Sequence, residues 1–309
     1  MKRVLLTGAT GFIGRHCLER LLTAGYGEVH ALSRNQEDRI GAGVHWHEAN
    51  LLEPEQMQLV MAEVAPTHLL HMAWYAEPGK YWTSPENVRW LQASLSLFQA
   101  FAQHGGERIV AAGTCAEYDW SGDGICSEVS TPLVPATLYG ASKHALHVML
   151  EAFARQQNLS AAWGRVFFLY GPHEHPSRLV SSVIRSLLRG ETARCSHGRQ
   201  LRDFLHVADV ADAFVALLDT EVRGAVNIGS GVALQLKDVI EEIGRQLKRN
   251  DLIQLNALSA SENEPPVLVA NVSRLAEEVG FHPRYDLSRG LEQTIDWWRQ
   301  EMELQGKCA

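Results

Sequence analysis

Apolar and polar positions along the 309-residue chain fall into two alternating patterns. Short apolar runs at 4–7, 29–33, 44–48, 68–72 and 108–113 have the length of buried strands. Between them, 14–24, 53–64 and 87–104 space their apolar residues three and four apart, as helices packed by one face do. This alternation predicts βαβ units and an α/β architecture, a doubly wound parallel sheet covered on both faces. A helix over 137–156 and a strand over 161–168 complete a first lobe, residues 1–169. After Tyr170-Gly171-Pro172, helices near 179–189, 208–218, 236–248 and 287–300 alternate with short strands, which predicts a smaller C-terminal α/β lobe over 170–309. No linker separates the two, so a shared interface and a chain crossover between lobes are expected. The most loop-like stretch is 257–266.

Charge and cysteine content narrow the class. The formal net charge is -8, with no basic excess for a nucleic-acid partner. Cys17, Cys115, Cys126, Cys195 and Cys308 form no CxxC pair and are odd in number, against a disulfide framework or structural zinc. The start Met1-Lys2-Arg3 runs straight into the first strand, without a signal-peptide core or a span-length apolar run. The expectation is a cytoplasmic protein with no membrane partner.

The first candidate chemistry is a glycine loop. Thr7-Gly8-Ala9-Thr10-Gly11-Phe12-Ile13-Gly14 lies between the first strand and an amphipathic helix. Glycines there allow a tight turn and close approach of a pyrophosphate to a helix N-terminus, as in the NAD(P)-binding Rossmann fold. An acidic residue at the end of the second strand would hold an adenosine ribose; this chain has Ser33-Arg34, whose hydroxyl and guanidinium suit a 2′-phosphate. NADP(H) is the preferred cofactor, with NAD(H) the alternative. Arg15 offers a second cation beside the same phosphate.

Tyr139 and Lys143 lie four apart, on one face of the 137–156 helix. An ammonium beside a phenol lowers its pKa, and the phenol can then pass a proton to or from a carbonyl or alcohol. Thr114 ends the strand over 108–113 at the carboxyl edge of the sheet, where its hydroxyl can hold the same oxygen. Together with Asn50-Leu51, His71-Met72-Ala73, Asn87, Arg165, Tyr170-Gly171-Pro172 and the run Arg202-Asp203-Phe204-Leu205-His206-Val207, these motifs resemble the landmarks of the extended short-chain dehydrogenase/reductases, the NAD(P)-dependent epimerase/dehydratase group. The resemblance covers nearly the whole chain. It implies Thr114, Tyr139 and Lys143 as the catalytic set, with Lys143 also on the nicotinamide ribose. It further implies Asn50 and Leu51 at the adenine, Met72, Ala73 and Trp74 along the middle of the cofactor, and Phe167 and Phe168 under the nicotinamide. Arg202 would grip the diphosphate of a nucleotide-sugar, and a homodimer would pair the helices near 87–104 and 137–156.

Departures from the family pattern bear on the reaction. The 4,6-dehydratases of that family carry an Asp-Glu pair after the threonine; Cys115 and Ala116 stand here, which argues against dehydration. Epimerising reductases use a cysteine and a histidine at the sugar. Cys115 is one residue too near Thr114 for that pattern, Arg178 stands where the histidine would, and a packed thiol is the plainer reading. Glu117, on a segment read as extended, is a further candidate substrate contact. The aromatic-rich stretch 74–82, with Tyr75, Glu77 and Tyr81, is expected to pass over the sugar. His45/His47 and His173/His175 lack paired carboxylates and are read as structural, so no metal is expected. Trp297-Trp298 is read as packing. The expected function is NADPH-dependent reduction of a nucleotide-linked 4-keto-6-deoxy sugar; a 4-epimerase or epimerase-reductase and a non-catalytic NADP(H) sensor are the alternatives.

Overall fold

The computed structural model describes residues 2–122, 124–259 and 265–307, with side chains through 304. Cys308 and part of the expected 257–266 loop lie outside the described residues. In chain order the first half runs β1 (Arg3–Thr7), α1 (Phe12–Thr23), β2 (Glu28–Ser33), β3 (His45–Glu48), α2 (Pro54–Val64), β4 (His68–His71), α3 (Glu86–Gln103), β5 (Arg108–Thr114), β6 (Ile125–Cys126), α4 (Leu138–Gln157) and β7 (Ser160–Val166). The second half runs β8 (Phe168–Tyr170), α5 (Leu179–Leu188), β9 (Ala193–Arg194), β10 (Leu201–His206), α6 (Val207–Asp219), β11 (Gly224–Ile228), β12 (Ala233–Gln235), α7 (Leu236–Leu247), β13 (Ile253–Gln254), β14 (Val267–Ala270), α8 (Ser273–Glu277) and α9 (Leu287–Lys307).

Seven strands form one parallel sheet in the order β11-β7-β5-β4-β1-β2-β3. Along β1, Val4 and Leu6 enter one core, whereas Leu5 enters the other with Leu69 and Ile109. That is the period-two alternation of a strand buried on both faces. The first core gathers Cys17, Leu18 and Leu21 of α1 with Val210, Phe214 and Leu218 of α6. The second gathers Met57 and Met61 of α2, Leu97 and Phe101 of α3, and Leu146 and Leu150 of α4. Strand order reverses between β1 and β4, and open α/β sheets bind ligands beyond the carboxyl ends of their strands at such a point. Among the described residues, no helix is long and apolar enough to cross a membrane.

In the smaller lobe β10 pairs with β8 and β14 in parallel and with β12 in antiparallel fashion, and β6 extends this sheet beside β14. Its core gathers Val183 and Ile184 of α5, Val239 and Ile243 of α7, and Leu291 and Ile295 of α9. Beyond residue 169 the chain crosses between the two lobes. After β10 it returns to the large lobe, where α6 packs on α1 and β11 pairs with β7 over Gly224–Ile228. Leu275 and Phe281 also join that first core. Local periodicity marks these elements, but which sheet an edge strand joins depends on distant partners.

The segment after β5 also departs from the extended reading. Cys115–Glu117 forms a 3-10 turn, in which Thr114 Oγ1 accepts from Ala116 N at 3.2 Å and Thr114 N donates to Glu117 Oε1 at 2.9 Å. This reciprocal capping stops the strand at the sheet edge. Thr137 caps α4 by accepting from Gly140 N at 3.1 Å, which fixes the start of the helix bearing Tyr139 and Lys143.

Candidate active site

A cleft of about 1800 Å³ opens at the carboxyl edge of the large sheet, between the lobes. The glycine loop forms one end of it. Gly8 has φ +71°, and a Cβ there would lie 2.7 Å from Ala73 N; a Cβ at Gly14 would overlap the carbonyl of Gly8. Gly11 is different: a Cβ would meet only Gly8 O, at 3.2 Å, so its open side faces the cleft. No side chain caps α1 at Gly11 and its first turn holds no acidic residue. The first-turn N–H groups of a helix have no intrahelical acceptor, and Phe12, Ile13 and Gly14, which carry them, line the cleft, an arrangement that suits an anionic pyrophosphate.

Met72, Trp74, Phe167 and Phe168 line the cleft beyond this loop. Ala73 instead lays its backbone under Gly8. Ser33, Arg34, Asn50 and Leu51 lie outside the cleft walls, Ser33 at the end of β2 and the others after β2 and β3. Ser33 Oγ donates to Asn35 O at 2.7 Å, Arg34 is exposed, Asn50 Oδ1 accepts from Leu52 N at 3.2 Å, and Leu51 is buried. Arg15 reaches across the lobes, with Nη1 2.7 Å from His173 Nδ1 and Nη2 donating to Thr10 O at 3.0 Å.

Thr114, Tyr139 and Lys143 converge on the middle of the cleft. Lys143 is 3% exposed; its Nζ donates to Ala112 O at 2.7 Å and lies 4.0 Å above the Trp74 ring. Burial pushes its ammonium down to about 7, opposed by the charge of Glu117. The Tyr139 phenol is pushed up, first by burial and then by Tyr81, while the hydrogen bond with Thr114 pulls it down. Loss of solvent, rather than the lowering expected from Lys143, sets that balance.

Aromatic rings enclose Tyr139. Tyr81 meets it edge-on at 4.8 Å and Trp82 at 5.7 Å, and Trp120 meets Trp82 at 6.3 Å. Tyr139 N donates to Trp82 O at 3.1 Å, which ties the 74–82 stretch to the start of α4. Tyr75 stands outside the cleft wall and donates to Glu77 Oε2 at 3.0 Å; Glu77 also pairs with Lys80 at 2.6 Å. The Arg178 guanidinium lies 5.5 Å from the Tyr81 ring and that of Arg202 5.3 Å from the Phe168 ring, and both residues line the cleft. Asp203 points to the opposite face of β10 and accepts from Ser230 N and Oγ, Gly231 N and Ala270 N. Cys115 lines the cleft but is 8% exposed beside Cys126, and burial pushes its thiol up.

Glu117, expected at the substrate, lies elsewhere. Its carboxylate is fully buried behind β5, accepting from Thr114 N, from Trp163 Nε1 at 2.8 Å and from Arg165 Nε at 3.0 Å. The 3-10 turn swings it inward, a geometry invisible to a reading that took the segment as extended. Sequence reasoning also missed several cleft residues. Trp82 lay in the flagged aromatic stretch and Trp298 in a pair read as packing, but Trp120, Glu174 and Gln200 carry no local signal. Gln200 is 7% exposed and its Oε1 has no hydrogen-bond partner among the described residues, and burial pushes Glu174 up to about 7. Trp298 is buried as packing requires, with Nε1 donating to Ser181 Oγ at 3.1 Å, and also lines the cleft.

Among the described residues, Glu117, His144 and His147 bring metal-type ligand atoms together. Arg165 fills the space between two of them, its Nε 3.0 Å from Glu117 Oε2 and its Nη2 3.3 Å from His147 Nδ1. The seat belongs to a guanidinium. His30, His45 and His47 stack on the sheet surface, with His30 Nδ1 2.9 Å from His47 Nε2.

Residues 4–229 match the profile of the NAD dependent epimerase/dehydratase family. The chain belongs to that family. Among curated members, UDP-glucuronic acid decarboxylase 1 of Xenopus tropicalis is 27% identical over 98% of this chain and 74% of its own. The UDP-glucose 4-epimerase of Rhizobium meliloti is 26% identical over 95% and 96%. Of solved family structures, MoeE5 in complex with UDP-glucuronic acid and NAD is 30% identical with a TM-score of 0.83, over 97% of this chain and 99% of that one. The UDP-glucose 4-epimerase of Thermotoga maritima has a TM-score of 0.86 at 21% identity, covering 97% and 99%, a likeness of fold.

Proposed function

We propose that this family member reduces the 4-keto group of a nucleotide-linked 6-deoxy sugar with NADPH. The observation that carries the reading is the proton inventory around Thr114. Tyr139 stands beside it, Cys115 and Ala116 fill the next two positions, and Glu117 is turned into the core. Such a site delivers one proton to one oxygen and lacks an adjacent acid–base pair for eliminating water. Bound nicotinamide supplies the hydride. The Tyr139 phenol protonates the carbonyl oxygen, Thr114 orients that oxygen, Lys143 holds the ribose, and Arg202 with Arg178 takes the diphosphate. The absence of a carboxylate at Ser33-Arg34 supports NADP(H), whereas MoeE5 was solved with NAD.

A second reading, 4-epimerisation with retained NAD, is favoured by the epimerases among the relatives. The two separate in one assay. Nucleotide-linked 4-keto-6-deoxy sugars should cause stoichiometric loss of NADPH absorbance, and Tyr139→Phe should lower the rate about 10²–10⁴-fold with cofactor affinity retained. Interconversion of UDP-glucose and UDP-galactose without net NADPH loss would establish the epimerase instead. Cofactor binding with no turnover on either substrate set would favour the sensor. The reading also places the enzyme in the cytoplasm as a homodimer through α3 and α4, where Val88, Val148 and Met149 are exposed; a monomer in sedimentation equilibrium would rule the dimer out.

A further inference from the structure

Glu117 has no part in the reaction proposed above, yet it is a fully buried carboxylate on the turn that carries Thr114. An uncompensated charge in such a place is costly, and this one is compensated on every side. Oε1 takes the Thr114 N–H at 2.9 Å and the Trp163 indole N–H at 2.8 Å; Oε2 takes Arg165 Nε at 3.0 Å. Space for this arrangement exists because residue 113 is glycine: a Cβ there would lie 2.7 Å from Glu117 Oε1 and overlap the Trp163 ring. The Lys143 ammonium lies 5.9 Å from the centre of that same Trp163 ring, so lysine and buried carboxylate both neighbour one indole. From Arg165 the network continues through Nη1 to Tyr118 OH at 3.0 Å. Tyr118 donates to Asn227 Oδ1 at 2.7 Å, and Asn227 Nδ2 donates to the carbonyls of Cys126 and Asn271 in the smaller lobe.

We propose that the Glu117–Arg165 pair is the positioning element of the catalytic set: it fixes the Thr114 end of β5 and holds Lys143 as an ammonium. The second role rests on the proposed reaction needing that ammonium, although the charge itself can be read without any turnover. Other titratable groups face the pair and the lysine: Tyr139, His144, His147 and Glu151 of α4, His71 of β4, and Tyr118. Glu117 is the carboxylate that opposes the effect of burial on Lys143.

The test is a carbon-13 NMR titration of the lysine side chains in the whole protein. The sequence has six lysines, and the Lys143 signal is the one lost in Lys143→Arg. Glu117→Gln keeps the shape and removes the charge; the Lys143 midpoint should fall by about one pH unit or more. Glu117→Asp keeps the charge while shortening the reach. Its midpoint should stay near wild type while kcat drops through the loosened Thr114. If Glu117→Gln alone does not fold, the neutral pair Glu117→Gln/Arg165→Gln replaces it, with a smaller fall in the same direction. A Lys143 midpoint equal to wild type in the folded neutral variant would overturn the proposal, whatever happens to melting temperature. Wild-type protein that turns over no 4-keto sugar would instead defeat the proposed function and leave the NMR result standing.

Discussion

Two glycines of the loop after β1 should respond differently to alanine. At Gly8, φ is +71° and the added Cβ would lie 2.7 Å from Ala73 N and 2.9 Å from Met72 C, both backbone atoms of the segment after β4. Ordinary van der Waals contact begins near 3.4 Å, so the loop must move about 0.7 Å away from the segment after β4. The left-handed backbone costs about 1–2 kcal/mol and the crowding about 1–3 more. Gly8→Ala should thus lose about 2–5 kcal/mol of stability together with cofactor affinity. Gly11 has φ -77° and ψ 175°, ordinary for alanine, and its Cβ would meet only Gly8 O at 3.2 Å while projecting into the cleft. That close approach to Gly8 O offsets the gain of about 0.4–1 kcal/mol that alanine brings by restricting the unfolded chain, so Gly11→Ala should leave stability within about 1 kcal/mol. By displacing a charged hydrogen bond worth about 1.5–3 kcal/mol, it should weaken cofactor binding about 10- to 100-fold. Thermal melts and calorimetric titrations with NADP⁺ and NAD⁺ give both quantities for each variant. Wild-type cofactor affinity in Gly11→Ala would refute the assignment of this loop to the pyrophosphate.

Other outcomes follow from single contacts. Thr137→Ala removes the acceptor for Gly140 N at the start of α4 and should cost about 1 kcal/mol in urea denaturation; no measurable loss would mean that the cap contributes nothing. His71 is 1% exposed between Thr7 Oγ1 and Ser94 Oγ, and burial pushes it down to about 3. The unfolded chain takes up that proton near pH 6.5 and the folded one does not, so stability is full above about pH 6.5 and falls as pH drops toward 3, by up to about 1.4 kcal/mol per pH unit for this group. His71→Gln should flatten that acid limb in urea titrations, and an unchanged slope would count against the burial argument.

Much of this protein is set by local sequence. The alternation of apolar runs and helical spacing gives β1 to β5 and their helices within a residue or two, because strands buried on both faces and helices packed by one face leave direct imprints. The glycine loop is equally legible, since Gly8 takes a left-handed backbone and a Cβ at Gly14 would overlap Gly8 O, and the one-turn spacing of Tyr139 and Lys143 needs nothing beyond a helix. Tertiary structure decided the rest. Only distant pairing returns β11 to the large sheet, and only packing brings Trp120, Gln200 and Trp298 to the same cleft as Thr114. Glu117 shows the difference most clearly. Its position three residues after Thr114 suggested a substrate contact, but the 3-10 turn and the donors offered by Trp163 and Arg165, 46 and 48 residues away, drew its charge into the core. A buried charge goes where its partners are, and those partners came from another strand.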